Sequence, residues 1–151
     1  MSKGYAVSVA GLYAKISVNL QDKIEKIELS YQPYQGLASH PELNTFINRC
    51  YNLPMDDEDF NRLSCEGCTP FQLKVYRALS SISKGVTLSY KQLAEKIGNP
   101  KAFRAVGHAM ALNPFPLIVP CHRVVLSNGD TGQFAFGSAM KMQLLLSEKK
   151  G

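Results

Sequence analysis

A cysteine followed directly by a histidine and an arginine, Cys121-His122-Arg123, is delivered by Val119 and the rigid Pro120. A cysteine attacks as its thiolate, and a nearby imidazole, cation or helix end lowers its pKa from about 8.5. Side chains adjacent in sequence ordinarily diverge, so Cys121 and His122 can cooperate only if a tight turn folds them together. Just upstream, the segment from Arg104 to Leu112 looks like the end of a helix running into the proline-stiffened turn Asn113-Pro114-Phe115-Pro116. The rest of the chain is most simply understood as a scaffold that presents Cys121 to something held by that helix.

The elements that must do the presenting fall into two blocks. In the first, Val7 and Val9, then Ile16, Val18 and Leu20, then Ile27, Leu29 and Tyr31 alternate with polar or small residues, which predicts an antiparallel meander. Leu43, Phe46, Ile47 and Cys50 follow at helical spacing behind Pro41. Residues 54–59 are acidic and unpatterned, and predict the approach to a linker reaching about Gly67.

The second block is mostly helical. Thr69-Pro70-Phe71-Gln72 has the spacing of a capping box and opens a helix burying Phe71, Val75 and Leu79, and Ser89 with Gln92 repeats the box. That helix stops at Gly98, and Asn99-Pro100 predicts the start of another running to about Leu112. Two helices joined by a short glycine-containing turn outline a helix-turn-helix, an outline shared by helical hairpins that touch no DNA. Leu117-Ile118-Val119 predicts a short buried strand, Gly132 and Gly137 bracket a loop, and Ser138 precedes a last helix with Met142, Leu145 and Leu146 inward and Glu148 near its end.

Charge separates the same two blocks. Residues 1–68 carry 6 Lys/Arg against 9 Asp/Glu, a net −3, whereas residues 69–151 carry 11 against 3, a net +8. The basic half is the half with Cys121, and a compact basic surface suits a polyanion, because neutralised phosphates release counterions. At 45% hydrophobic and 19% charged the chain reads as a folded soluble protein. No apolar run approaches the roughly 18 residues of a membrane span, so no membrane partner and a cytoplasmic location are expected. Four cysteines, Cys50, Cys65, Cys68 and Cys121, do not make a secreted disulfide scaffold in a chain of this length. Cys65-Glu66-Gly67-Cys68 lacks the second pair of a closed zinc site, so two plain thiols or a local disulfide is favoured and no metal is expected.

Pro120-Cys121-His122-Arg123-Val124, preceded by Arg104-Ala105-Val106-Gly107 and Asn113-Pro114, with Ser89-Tyr90 upstream and Glu148 downstream, resembles the O6-alkylguanine-DNA alkyltransferase family, the methylated-DNA–protein-cysteine methyltransferases. The resemblance covers residues 69–149 and is specific; the first 60 residues resemble the family only in layout. It implies an α/β protein with a ribonuclease-H-like α/β domain over 1–66 and a mostly helical helix-turn-helix domain over 67–151 that carries the active-site cysteine. The implied activity is single-turnover repair by direct reversal, in which the alkyl group of O6-alkylguanine, with O4-alkylthymine as a further substrate, passes to Cys121. The implied partner is double-stranded alkylated DNA, bound by a monomer that needs no cofactor.

By that resemblance Cys121 is the alkyl acceptor and His122 the base that takes its proton, polarised by Glu148 through an ordered water. Asn113 braces the turn, Tyr90 serves guanine N3, and Arg104 enters the stack in place of a flipped-out nucleotide. The helix with Ala102, Phe103, Ala105, Gly107, His108 and Ala109 then lies in the minor groove, about 6 Å wide, where small residues are needed. Arg123 is expected at the DNA, and Val124, Phe134, Ala135 and Phe136 at the base pocket. Relatives usually show a tyrosine where Phe134 stands and a glycine or a large residue where Phe136 stands, and His108 occupies a position where a smaller residue is common. A non-catalytic alkyl-damage sensor using the same DNA-binding half, a helix-turn-helix regulator and a cysteine peptidase are the alternatives. The sensor and the regulator need no reactive Cys121, and the peptidase needs a histidine distant in sequence.

Overall fold

The structure, a computed structural model, describes residues 2–150, with the Lys150 side chain outside that description. The three alternating runs are strands β1 (Lys3–Val9), β2 (Leu12–Val18) and β3 (Ile24–Ser30), paired antiparallel. Alternation does the sorting: Leu12, Ala14, Ile16 and Val18 are buried while the residues between them face outward or lie at the margin. Ala10 and Gly11, with φ of 56° and 73°, make the two-residue turn between β1 and β2, the left-handed pair that a tight hairpin needs. A two-residue strand that the sequence did not signal, β4 (Ala38–Ser39), runs parallel to β1 and completes the order β3-β2-β1-β4.

Helix α1 (Pro41–Asn52) buries Leu43, Phe46, Ile47, Cys50 and Tyr51, and His40 caps it by accepting a hydrogen bond from the Leu43 N–H at 3.0 Å. The acidic stretch is not a free linker. Asp56 and Asp59 form a reciprocal capping box on a short helix, α2 (Asp57–Phe60), and Asp59 takes a bidentate pair from Arg49 at 2.9 and 2.6 Å. Ile24 then exchanges backbone hydrogen bonds with Arg62 and Ser64, which seats the segment along the edge of β3. Alternation and helical periodicity carry no trace of an acidic run whose one inward carboxylate is neutralised by an arginine.

The basic half is built of α3 (Pro70–Ser80), α4 (Tyr90–Lys96), α5 (Phe103–Ala111) and α6 (Ser138–Lys150). Both expected capping boxes, Thr69 with Gln72 and Ser89 with Gln92, are formed. Three other expectations need correction. The helix expected from Pro100 begins at Phe103, because Asn99 to Lys101 are spent on a turn closed by Ala102 N–H to Asn99 O at 2.9 Å. Leu117 to Val119 are buried but not a strand: Leu117 has φ +77° and the Val119 N–H reaches back to Phe115 O. In α6 the inward residues are Met140, Lys141, Leu144 and Glu148, whereas Met142 and Leu146 are 48% and 55% exposed. Two of its inward positions are charged, so an apolar stripe cannot find the phase. A two-residue parallel pair, β5 (Leu88–Ser89) with β6 (Val124–Val125), joins the start of α4 to the chain just after Cys121.

Candidate active site and nucleic-acid interface

The strained bend at Leu117 and the fixed φ of Pro120 lead into a single 3-10 turn, Cys121–Arg123. The expected tight turn is there, and it parts the side chains, with Cys121 on one side and His122 and Arg123 turned inward together. Cys121 lines the cleft, whereas His122 and Arg123 are 0% and 3% exposed. Asn113 fixes the approach from inside, its amide donating to Val119 O at 2.9 Å and its carbonyl accepting from the Phe115 N–H at 3.0 Å.

Beneath the turn a buried carboxylate gathers four donors. Glu148 Oε2 lies 2.6 Å from His122 Nε2 and accepts from the Tyr51 hydroxyl at 2.7 Å, and Oε1 accepts from Arg123 Nε at 2.8 Å. Burial works against this carboxylate, yet the bonds from His122, Arg123 and Tyr51 outweigh it and hold Glu148 far below the usual carboxylate range. The Arg123 guanidinium also donates to Ile82 O at 2.9 Å, to Tyr51 O at 3.0 Å and to Glu148 Oε2 at 3.3 Å. Arg123 is therefore no DNA contact, a correction with a simple cause: a buried carboxylate needs a buried cation. The ordered water expected between Glu148 and His122 has no place either, since the two side chains touch.

Arg123 neutralises Glu148, so His122 is not forced to carry charge. Burial depresses the imidazole more than its bond to Glu148 raises it, and His122 stays neutral with Nε2–H donating to the carboxylate. Nδ1 then holds the free lone pair, and it is the buried side-chain nitrogen with no hydrogen-bond partner among the described residues. A fixed, neutral imidazole with one unengaged basic nitrogen, one residue from a thiol, is equipped to receive that thiol's proton. Burial pushes the Cys121 thiol up, opposed by a hydrogen bond from Asn113 and the charge of Lys141.

Above Cys121 opens a cleft of about 1180 Å³, larger than the roughly 300–1,000 Å³ usual for small-molecule pockets and so suited to an extended ligand. Tyr90, Arg104, Gly107, Asn113 and Cys121 line it together with Phe103, Phe134, Ala135 and Phe136. Burial first, and then Cys121, raises the Tyr90 phenol, which keeps it a hydroxyl able to donate. The Tyr90 ring lies beside α5 at Gly107, where an added Cβ would make ordinary contact with it at 3.7 Å. The Phe134 and Phe136 rings meet edge to face with centroids 5.8 Å apart.

Other expected site residues fall elsewhere. Val124 is fully buried and pairs with Leu88, so its side chain belongs to the core and not to the base pocket. Ala109 is also core, while Ala102, Ala105 and His108 lie on α5 or at its cap outside the cleft wall. Sequence reasoning missed Lys91 and Lys101, cations on the cleft wall whose spacing gives no periodic signal. It also missed Tyr51 and Lys141. Tyr51 follows Cys50 on the buried face of α1, a signal that was present but pointed only to packing.

The site thus sets a thiol, next in the chain to an anchored neutral imidazole, into a cleft walled by the cations Lys91, Lys101 and Arg104. The DNA binding domain of 6-O-methylguanine DNA methyltransferase matches residues 70–150, and the chain belongs to that family. A probable methylated-DNA–protein-cysteine methyltransferase of Acanthamoeba polyphaga mimivirus is 50% identical over 82 residues, 54% of each chain, so the chain spans about half the length of the curated relatives it matches. Among solved structures, the O6-methylguanine-DNA methyltransferase of Pyrococcus kodakaraensis superposes with a TM-score of 0.74 at 26% identity, over 98% of this chain and 99% of that one. Mycobacterium tuberculosis OGT in complex with DNA gives 0.74 at 27% identity, over 98% and 93%. The mixed α/β architecture is thus that of known alkyltransferases.

Proposed function

We propose that this protein repairs double-stranded DNA by direct reversal, taking the alkyl group of O6-alkylguanine irreversibly onto Cys121. The observation that carries the reading is a 3-10 turn that sets Cys121 on the wall of a basic-lined cleft and, next to it in the chain, a buried His122 whose Nδ1 has no hydrogen-bond partner among the described residues. In the reaction the thiol proton passes to His122 and the sulfur attacks the alkyl carbon. The S–C bond forms as the C–O bond breaks, its electron pair stays on the purine, and Tyr90 donates at N3 to stabilise the charge that develops there. A thioether has no easy reverse, so each molecule acts once.

Helix α5 and the turn before it would enter the minor groove, with Arg104 filling the stack where the damaged nucleotide has left. α4 and α5 act here as a helix-turn-helix, in a domain of residues 67–151 that follows a ribonuclease-H-like domain of residues 1–66. The protein works as a cytoplasmic monomer without a cofactor. Among the described residues no helix is long and apolar enough to cross a membrane.

Incubating the protein with duplex DNA carrying labelled O6-methylguanine and locating the label by mass spectrometry tests the reading. Label on Cys121 supports it, and label left on DNA overturns it. Arg104→Ala is expected to slow repair of duplex DNA at least about ten-fold more than reaction with free O6-benzylguanine, because only the duplex must be compensated for unstacking, a cost of a few kcal/mol. Equal losses on both substrates would place Arg104 in the chemistry or the fold.

The pocket loop supplies a second test. Phe136 packs edge-on against Phe134 on the cleft wall, where a phenyl ring takes room from any alkyl group larger than methyl. Phe136→Gly is expected to raise the benzyl-to-methyl rate ratio several-fold, and an unchanged ratio would mean that the ring does not border the alkyl group.

A further inference from the structure

Lys141 is 1% exposed, and burial of a lysine is costly unless something answers its charge. Among the described residues it forms no salt bridge; its ammonium donates to one neutral group, the Gln133 carbonyl, at 3.1 Å. Its position adds to the cost. Lys141 lies in the N-terminal part of α6, the end where the helix dipole opposes a cation. Packing alone does not account for a cation placed there, since methionine would fill the same space without charge.

What does answer it is the nucleophile. α6 packs against the turn Cys121–Arg123, and the carbonyl that Lys141 holds belongs to the loop carrying Phe134 and Phe136 past Cys121. Burial lowers the Lys141 ammonium and raises the Cys121 thiol, and against that each of the two favours the other's charged form. Lys141 also disfavours a proton on His122. The other ionisable groups packed about the sulfur supply no buried cation: His122 is neutral, Glu148 is matched by Arg123, and Tyr90 and Tyr76 are neutral phenols, while Lys91, Lys101 and Arg104 are exposed on the cleft wall.

We propose that Lys141 is a positioning residue for the thiolate: a buried ammonium, held in place by Gln133, whose charge the Cys121 sulfur balances once it ionises. This rests on Cys121 being the nucleophile, and it adds that activation is shared between a proton acceptor, His122, and a fixed cation on another element.

The test compares Lys141→Gln, Lys141→Met and Lys141→Arg, each checked for folding by circular dichroism. Cys121 is titrated by thiolate absorbance near 240 nm, with Cys121→Ala in each background removing the signal of Cys50, Cys65 and Cys68, and the rate with iodoacetamide is followed in parallel. Glutamine keeps a donor for the Gln133 carbonyl but no charge, so a loop-holding role alone would leave it unaffected. The expected result is a Cys121 midpoint about one pH unit higher in the Gln and Met variants, with alkylation by iodoacetamide about ten-fold slower at pH 7, and recovery towards wild type in Arg. An unmoved midpoint in Lys141→Gln overturns the proposal. A second measurement uses the wild-type protein: carboxamidomethylation of Cys121 should lower the Lys141 titration, read from its side-chain 15N shift, by a similar amount, and no change overturns the proposal as well. Neither measurement involves DNA. A wild-type protein that takes no alkyl group from DNA would sink the repair reading and leave the charge coupling standing.

Discussion

Cys121→Ala is expected to abolish alkyl transfer from both duplex DNA and free O6-benzylguanine while leaving affinity for duplex DNA close to wild type. On the proposed reading the thiol is the acceptor, and the other groups on the cleft wall are weak nucleophiles: the Tyr90 phenol, kept neutral by burial, the hydroxyls of Ser127 and Ser138, and exposed lysines. Alanine is close in volume to cysteine, so the buried His122–Glu148–Arg123 arrangement beneath it should survive. The basic wall of Lys91, Lys101 and Arg104 is untouched, and phosphate contacts dominate such affinity. Transfer assayed by gel with labelled duplex and binding assayed by anisotropy give the two halves of the result. Residual transfer in the alanine variant would mean that another group accepts the alkyl.

The second large effect is on stability. Arg123→Met is expected to cost about 3–5 kcal/mol, the usual penalty for removing one partner of a buried ion pair, because Glu148 would be left charged and out of water while two carbonyls lose their donor. Urea denaturation measures it directly, and a loss below about 1 kcal/mol would show that water reaches Glu148. The same group makes wild-type stability depend on pH in a definite sense. His122 is depressed in the fold, so as pH falls below its ordinary value of about 6.5 the unfolded chain takes a proton that the folded one refuses. Glu148 is depressed too, so its contribution, full above the ordinary carboxylate value of about 4.5, is lost as pH falls further. Stability should therefore decline from near neutral pH downward in two stages, and Arg123→Met should blunt the second.

Much of this was legible in the residues. The strands of the meander announce themselves because each has one wet face, and α1, α3 and α4 because their caps sit at fixed offsets from apolar stripes. Cys121 stands out beside His122, whereas Tyr90, Arg104 and Asn113 are reached through the family resemblance of the stretch they share. What stayed hidden depends on long-range pairing of polar groups. Tyr51 meets Glu148 across 97 residues, and Arg123 turns inward for it across 25. Lys141 and Glu148 occupy the buried face of α6, so hydrophobicity gave that helix the wrong phase. β4, β5 and β6 are two residues each, too short for any period to register.

Glu148 is held by three side chains: His122 and Arg123 from the turn that carries Cys121, and Tyr51 from α1. The carboxylate that orients His122 is thus also the knot that ties α6, α1 and that turn together. Competence and foldedness meet in one side chain, so a change at Glu148 bears on both at once.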